Sequence, residues 1–437
     1  MCQGWPVSSA VIEDLLARDL VAQSTDIGAL RAELDQGMLT LYCGFDPTAP
    51  SLHLGNLSQI LTVRRFQIAG HRPLALVGGA TGLIGDPKAS GERQLNDRDL
   101  VSGWVERIRS QLERFYDFSG SNAAIAVNNL DWTDGLEVLD FLRDIGKHFS
   151  VNRMLDREAV AARLAGGGIS YTEFSYQLLQ SLDYLELHRR YGCSLQTGGS
   201  DQWGNITAGA DLIRRVTGDH VHALTTPLLT KADGTKFGKT ESGTVWLDPA
   251  LTSPYAFFQF WLNSDDRDVS TLLRTFSFAP VEEIAELIAV SQERPQERAA
   301  QRALAREITS LVHGEAETRA AESAGLALFG QGSLADIPAM TLQAALMTAP
   351  HAVVEPEEIS DGELPTVEDL FVQAGLVTSK QAARRTIEEG GAYINNVRCQ
   401  AVGYRPLVTD LLHGSWLVLR RGRKSMAGVR VGEGDRI

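Results

Sequence analysis

The sequence predicts an α/β protein: a parallel sheet with helices on both faces, then an all-helical region, then a small α+β module. Three observations carry this. Short apolar runs alternate with helical patterns through the first half, and helical periodicity alone continues from Ser253 to about Phe329. Basic residues gather at the far end: Thr366 to Ile437 hold eleven Lys and Arg against seven Asp and Glu, a local +4 on a chain of net charge −14.

The strand signals are "MLTLYCGF", "RPLALVGG", "AAIAVNN" and "CSLQTGG", each stopped by Gly, Asn or Asp. Between the first three lie "LGNLSQILTVRRFQIAG" and "ERQLNDRDLVSGWVERIRSQLERFY", with helical spacing of apolar residues. Alternation of this kind predicts parallel strands buried on both faces. It places Tyr42 to Asp46, Gly78 to Gly85 and Thr197 to Asp201 at strand carboxyl ends, where such sheets bind ligands. The stretch from about Leu130 to Ser170 breaks the alternation and reads as an insertion within a first domain of residues 1–229.

Residues 230–245 form a Gly- and Lys-containing loop, taken as mobile. In "SPYAFFQFWLN", Ser253 is a suitable N-cap and Pro254 suits the first helical position, so residues 246–345 are expected as a helical domain. "MTAPHAVVEPEEISDGELP" is acidic, contains Pro and has no steady period; residues 346–365 are expected as a linker. Residues 366–437 then offer two short helices, a turn at Asn395-Asn396 and the strand "GSWLVLRRGRKS".

Composition narrows the classes. A chain of 437 residues with 43% hydrophobic content can bury several cores. Its four cysteines are scattered without C-x-x-C spacing, which argues against a zinc site or a disulfide framework and for a reducing, cytoplasmic setting. No run of about 18 apolar residues occurs, and the first twenty residues lack a basic segment followed by an apolar one, so neither membrane insertion nor export is expected. The acidic body disfavours nucleic acid, which is bound through Lys and Arg; the basic tail favours it.

Four constellations carry chemistry, each with a plainer alternative. In "CGFDPTAPSLHLGNLSQIL", His53, Gly55 and Asn56 crowd a helix start whose exposed N–H groups and dipole suit an anion, with Thr48 and His53 as further donors and Gly55 open to a flat ring; a surface His near a helix end is the alternative. In "LVGGATGLIGDP" the glycines allow close approach to a ligand and Asp86 suits an ammonium, or the segment is a tight turn with a capping Asp. Tyr176, Gln180 and Asp183 share one helical face, suited to a small zwitterion or simply solvated. "LLTKADGTKFGKTESG" brings lysines to a polyphosphate, or is a solvated loop. Arg298, Arg302 and Arg306 at helical spacing read as a solvated face, with a surface toward RNA as the alternative.

"HLGN" and "KFGKT" resemble, in order, the HIGH and KMSKS signatures of the class I aminoacyl-tRNA synthetases. With "YCGFDPTAPSLHLGN", "ALVGGATGLIGDP", the Tyr176/Gln180/Asp183 helix and "GGSDQWGNI", the chain resembles the bacterial tyrosyl-tRNA synthetases over nearly its whole length. "SKQAARRTIEEGGAYINN" is similar to the RNA-binding domain named after ribosomal protein S-four.

The resemblance implies a Rossmann-like catalytic domain, an anticodon-side helical domain and a C-terminal RNA-binding domain. It implies activation of L-tyrosine by ATP and transfer to tRNA(Tyr), with magnesium accompanying ATP, no protein-ligated metal, and a homodimer. Tyr42 and Asp183 are then expected at the substrate phenol, Asp86, Tyr176 and Gln180 at its ammonium, and Gln202 at its carboxyl. Cys43, Gly44, Asp46, His53, Gly55, Asn56, Gly199, Asp201, Lys236 and Lys239 are expected around ATP. Thr48, His53, Asn56, Lys236 and Lys239 are expected to act in catalysis, with Lys88 and Arg93 as helpers at the pyrophosphate. Lys380, Arg384, Arg385, Arg420 and Arg421 are expected at the tRNA.

The second signature His is Asn56 here, whose amide still donates an N–H, so activity is expected to persist. The KFGKT loop lacks the commoner Met and Ser but keeps both lysines. Two rivals share parts of the pattern: a tryptophanyl-tRNA synthetase, which has no use for the Tyr42/Asp183 pair, and a non-catalytic synthetase-like RNA-binding protein, which has no use for the phosphate groups.

Overall fold

The computed structural model describes residues 8–86, 95–156, 158–235, 237–240, 243–422 and 425–432, with backbone alone at 158, 159, 239 and 240. Lys88, Arg93 and Lys236 lie outside the described residues, and so does the side chain of Lys239. The chain forms two compact units, Met1–Asp248 with Asp265–Ala300, and Pro249–Ser264 with Gln301–Ile437.

The first unit is built on β1 (Gln23–Ser24), β2 (Thr40–Phe45), β3 (Arg72–Val77), β4 (Ile125–Asn128), β5 (Cys193–Gly199) and β6 (His222–Thr226). They form one six-stranded sheet in the order β1-β6-β5-β2-β3-β4. All pairings are parallel except that of the short edge strand β1 with β6. The chain runs outward from β2 through β3 to β4 and then crosses back to place β5 on the other side of β2. The direction of winding thus reverses between β2 and β5, and a crevice opens at their carboxyl ends.

The helices that line this crevice are held by their ends and their apolar faces. Leu54–Ile68 fully buries Leu54, Leu57, Ile60, Leu61, Val63 and Phe66, too many directions for a surface helix. Tyr171–Tyr191 starts at Ser170, whose hydroxyl accepts from Glu173 N–H at 3.3 Å, and ends at the left-handed Gly192. Its Tyr184, Leu185 and Leu187 pack with Tyr42, Leu74 and Leu76 of the sheet and with Leu212 and Ile213 of the helix Trp203–Thr217.

Two expectations need correction. The chain enters the second unit at Pro249, leaves it at Ser264 and returns at Gln301, so residues 265–300 belong with the sheet domain. Helical spacing reveals no partner; here buried guanidinium groups supply it. Arg18 donates to Ser277 O at 3.0 Å and Ala279 O at 2.6 Å, and Arg65 to Ser277 O at 2.6 Å, which fixes the end of the helix Val269–Phe276.

The expected linker is also structured. After the small ribbon β7 (Lys239–Thr240) and β8 (Gly243–Thr244), the second unit adds β9 (His351–Val354), β10 (Ala392–Ile394), β11 (Val397–Arg398), β12 (Trp416–Arg421) and β13 (Ser425–Val431). These last five form a sheet in the order β11-β10-β12-β13-β9. β9 comes from the acidic stretch and pairs in parallel with β13, burying Val354 completely. Three apolar residues, Ala352 to Val354, behind His351 sufficed for a strand once a partner edge was present. Asn395 and Asn396 both take positive φ, 46° and 68°, and turn β10 into β11. The remainder of the second unit is helical, including Pro254–Leu262, Glu315–Leu328 and Ala339–Met347. Ser253 Oγ caps the first of these by accepting from Ala256 N–H at 3.2 Å.

Candidate active site

A cleft of about 480 Å³ opens at the β2/β5 crossing. Tyr42, Cys43, Gly44, Asp46, His53, Gly55, Asn56, Asp86, Tyr176, Gln180, Asp183, Gly199, Asp201 and Gln202 all line it. Thr48 stands outside the lining, exposed on the turn after β2.

One end of the cleft is a buried polar pocket. The Asp183 carboxylate accepts from Trp132 Nε1–H at 2.9 Å and Asn129 Nδ2–H at 3.1 Å. Burial pushes its carboxyl up to about 7 in spite of those two donors. The Tyr42 hydroxyl in the same pocket is buried with no hydrogen-bond partner, and so are Gln180 Oε1 and Gln196 Oε1. Gathered in one cleft, such atoms suit a polar ligand that brings their partners.

The carboxylates near Tyr176 are tied in ways the sequence did not suggest. Tyr176 Oη donates to Asp46 Oδ2 at 2.6 Å, and Thr81 Oγ1 donates to Asp46 Oδ1 at 2.7 Å. Asp86 accepts from Gln202 Nε2–H at 3.0 Å, and Gln202 Oε1 accepts from Asn205 Nδ2–H at 2.9 Å. Gly78 was expected to admit a ligand to the backbone; a Cβ there instead meets the Asp46 carboxylate and the Thr81 hydroxyl. Cys43 is buried, which pushes its thiol up to about 12, so it presents a neutral S–H.

The other end is the start of Leu54–Ile68, and here the expectation of exposed N–H groups is corrected. Leu54 N–H donates to Val245 O at 3.2 Å, Asn56 N–H to His53 O at 2.9 Å, and Gly55 N–H to His53 Nδ1 at 3.0 Å. What the helix start presents is its dipole and two side chains. Because Nδ1 accepts, the neutral ring carries its proton on Nε2. Asn56 Oδ1 accepts from His53 N–H at 3.1 Å, which orients Nδ2 as the donor side of the amide. Gly55 has a steric reason that the sequence did not reveal: a Cβ there would lie 2.9 Å from His53 Cε1.

The lysine loop reaches the same helix start through its backbone. Val245 N–H donates to Gly238 O at 3.0 Å, and His53 pairs with Trp246 as an antiparallel bridge. Phe237, which lines the cleft, stacks 5.5 Å from Phe276, and Ala232 N–H donates to Asp268 Oδ1 at 2.7 Å. Asn129, Trp132, Thr81 and Gln196 escaped sequence reasoning. The one available signal was "NNLDW" directly after a strand.

In the second unit, Lys380 pairs with Asp369, Arg384 with Glu368 at 3.7 Å and Arg385 with Glu389 at 2.8 Å, all three remaining largely exposed. Arg421 is exposed and donates to Leu376 O at 3.2 Å. Arg420 contradicts its expected place at the tRNA: it is buried, donates to Phe329 O at 3.0 Å and covers the Tyr393 ring at 4.8 Å. In a strand, neighbouring residues face opposite ways, so "RR" put one arginine inside.

A winding reversal over a cleft, a capped His-x-Gly-Asn helix start and a Gly/Lys loop bonded to it define the catalytic body of a class I synthetase. Residues 34–330 match the family of class I tRNA synthetases (W and Y), and residues 342–428 match the tyrosine–tRNA ligase SYY-like C-terminal domain. Among curated proteins, the tyrosine–tRNA ligase of Streptomyces avermitilis is 63% identical over 96% of this chain and 99% of its own. That of Thermobifida fusca is 59% identical over 96% and 99%. A C-terminally truncated mitochondrial tyrosyl-tRNA synthetase of Aspergillus nidulans superimposes with a TM-score of 0.64 at 29% identity, covering 71% of this chain and 92% of that one. The chain belongs to the class I tRNA synthetases and, within them, to the bacterial tyrosyl-tRNA synthetases.

Proposed function

We propose that the chain joins L-tyrosine to ATP and then charges tRNA(Tyr). In the first step the tyrosine carboxylate attacks the α-phosphorus, an anhydride bond forms and pyrophosphate leaves. In the second, a hydroxyl of the terminal ribose attacks the tyrosyl carbonyl and AMP leaves. The carrying observation is the Tyr42 hydroxyl, buried without a partner in the pocket that holds the Asp183 carboxylate. A phenol accepts from the first and donates to the second. Phenylalanine leaves both unpaired, which is costly for buried groups, and tyrosine-specific synthetases are the known example of rejection on that ground. An indole N–H only donates, so tryptophan leaves Tyr42 without an acceptor.

Asp86, Gln180 Oε1 and the lone pairs of Tyr176 Oη suit the ammonium, and Gln202 is assigned to the carboxyl. Cys43, Gly44, Asp46, Gly199 and Asp201 are assigned to the nucleoside side of ATP. His53 Nε2–H and Asn56 Nδ2–H are assigned to the phosphates, with Lys236 and Lys239, helped by Lys88 and Arg93, at the departing pyrophosphate. The nucleophile is already an anion, so these residues supply alignment and charge cancellation; each donor contributes roughly 2.7–4 kcal/mol by analogy with oxyanion-hole deletions. Magnesium arrives with ATP as part of the substrate.

Lys380, Arg384, Arg385 and Arg421 are assigned to tRNA. The exposed Val138, Leu139 and Val151 of the inserted stretch support a homodimer through that region. No helix among the described residues is long and apolar enough to cross a membrane, and scattered cysteines support a cytoplasmic setting. The test is ATP–pyrophosphate exchange with single amino acids. Tyrosine should drive it while tryptophan and phenylalanine stay silent, and exchange driven by tryptophan alone would sink the reading.

A further inference from the structure

At the end of the helix Glu315–Leu328, Ala327 O accepts from Gly330 N–H at 3.0 Å and keeps room for a second donor, while Phe329 O lies past the last helical turn. Groups from the C-terminal sheet of the same unit reach them. Arg420 Nη1–H on β12 donates to Phe329 O at 3.0 Å, and Asn396 Nδ2–H, at the β10/β11 turn, donates to Ala327 O at 2.7 Å. Nearby, the His413 ring nitrogen Nε2 lies 2.8 Å from Ile337 O, in the connection that leads into the next helix. The guanidinium therefore stands at the negative end of a helix dipole, with its other face on the Tyr393 ring at 4.8 Å. Gly330 completes the fit. Its φ is +88°, and a Cβ there would lie 2.8 Å from Arg420 Nη2.

We propose that Arg420 and Asn396 are positioning residues for aminoacylation: they lock the C-terminal sheet onto the end of Glu315–Leu328 and so fix where the exposed basic helix Lys380–Glu388 meets tRNA. The inference rests on the reading that this chain charges tRNA. The geometry separates two kinds of arginine in one basic module. Arg384 and Arg385 are exposed and available to phosphate, while Arg420 is 7% exposed and donates through Nη1 to a backbone carbonyl.

The test uses the full chain with Arg420→Ala, Arg420→Lys and Gly330→Ala. The last disturbs the lock from the helix side with the guanidinium still present. Loss of a charged hydrogen bond predicts a KM for tRNA about tenfold higher in Arg420→Ala and Gly330→Ala. The kcat and tyrosine-dependent pyrophosphate exchange should stay unchanged, and a protease should cut the connection 331–338, exposed except at Leu334 and Ile337, faster. Arg420→Lys, which keeps a cation at the helix end, should recover most of the KM. An unchanged KM in Gly330→Ala with a raised one in Arg420→Ala points to direct RNA contact and overturns the lock. Unchanged KM in both overturns it as well, and the tRNA reading survives if a chain lacking the C-terminal module still loses charging. If that shortened chain charges normally, both fall.

Discussion

Tyr42 holds a polar group in an apolar setting. Its ring is packed edge-on against Tyr184 at 5.4 Å, yet its hydroxyl is buried without a partner. Leaving such a group unsatisfied costs about 1–3 kcal/mol, a burden the fold carries so that a substrate phenol finds a donor already in place. Tyr42→Phe keeps the packing and removes the burden. The unliganded variant should melt at the same temperature or higher, while kcat/KM for tyrosine falls about tenfold and that for phenylalanine does not fall. Calorimetry and exchange kinetics on the same preparation check both halves; a lower melting temperature would show that the hydroxyl has a structural partner after all.

At the scale of an element, the start of Leu54–Ile68 joins helix capping to catalysis. The His53 ring caps the helix through Nδ1, and that bond determines which ring nitrogen faces the phosphates. Gly55→Ala should favour the helix by roughly 1 kcal/mol on propensity alone, yet its Cβ would push on the His53 ring. The expected variant is at least as stable as the parent but slower in adenylate formation by ten-fold or more, about the loss of one charge-stabilising donor. Wild-type exchange rates in that variant would separate the ring from catalysis.

The same element shows what sequence pattern can and cannot reveal. His53, Gly55 and Asn56 stood out because they are middling or poor helix formers where good ones were free to sit. The occupation of the N–H groups did not: the Leu54 N–H is taken by Val245, which comes from a distant segment, and the others are taken within the His53–Asn56 turn itself. Thr40–Phe45, Arg72–Val77, Ile125–Asn128 and Cys193–Gly199 were legible as apolar runs stopped by Gly, Asn or Asp. His222–Thr226 was not, because a run of five containing two Thr and one His carries no clear period although all five are buried. Asn129 and Trp132 grip Asp183 across 54 and 51 residues of chain, and nothing local records such a meeting.

At the scale of the whole molecule, the two activities should be separable by where the chain is cut, and β9 decides where. A chain ending at Pro365 loses β13 but keeps His351–Val354, leaving an apolar strand with both edges unpaired. A chain ending at Ala349 loses that strand too and keeps Ala339–Met347, whose Leu342 and Leu346 are fully buried. Both should retain tyrosine-dependent pyrophosphate exchange, because the cleft lies wholly within residues 42–237. Both should charge tRNA poorly, since the +4 stretch from Thr366 onward is gone and the rest of the chain is strongly acidic. They should differ in solution: light scattering should find the longer chain associating and the shorter one not. The reverse order would mean that β9 stays covered without its sheet, and loss of exchange in both would mean that the first unit depends on the second to fold.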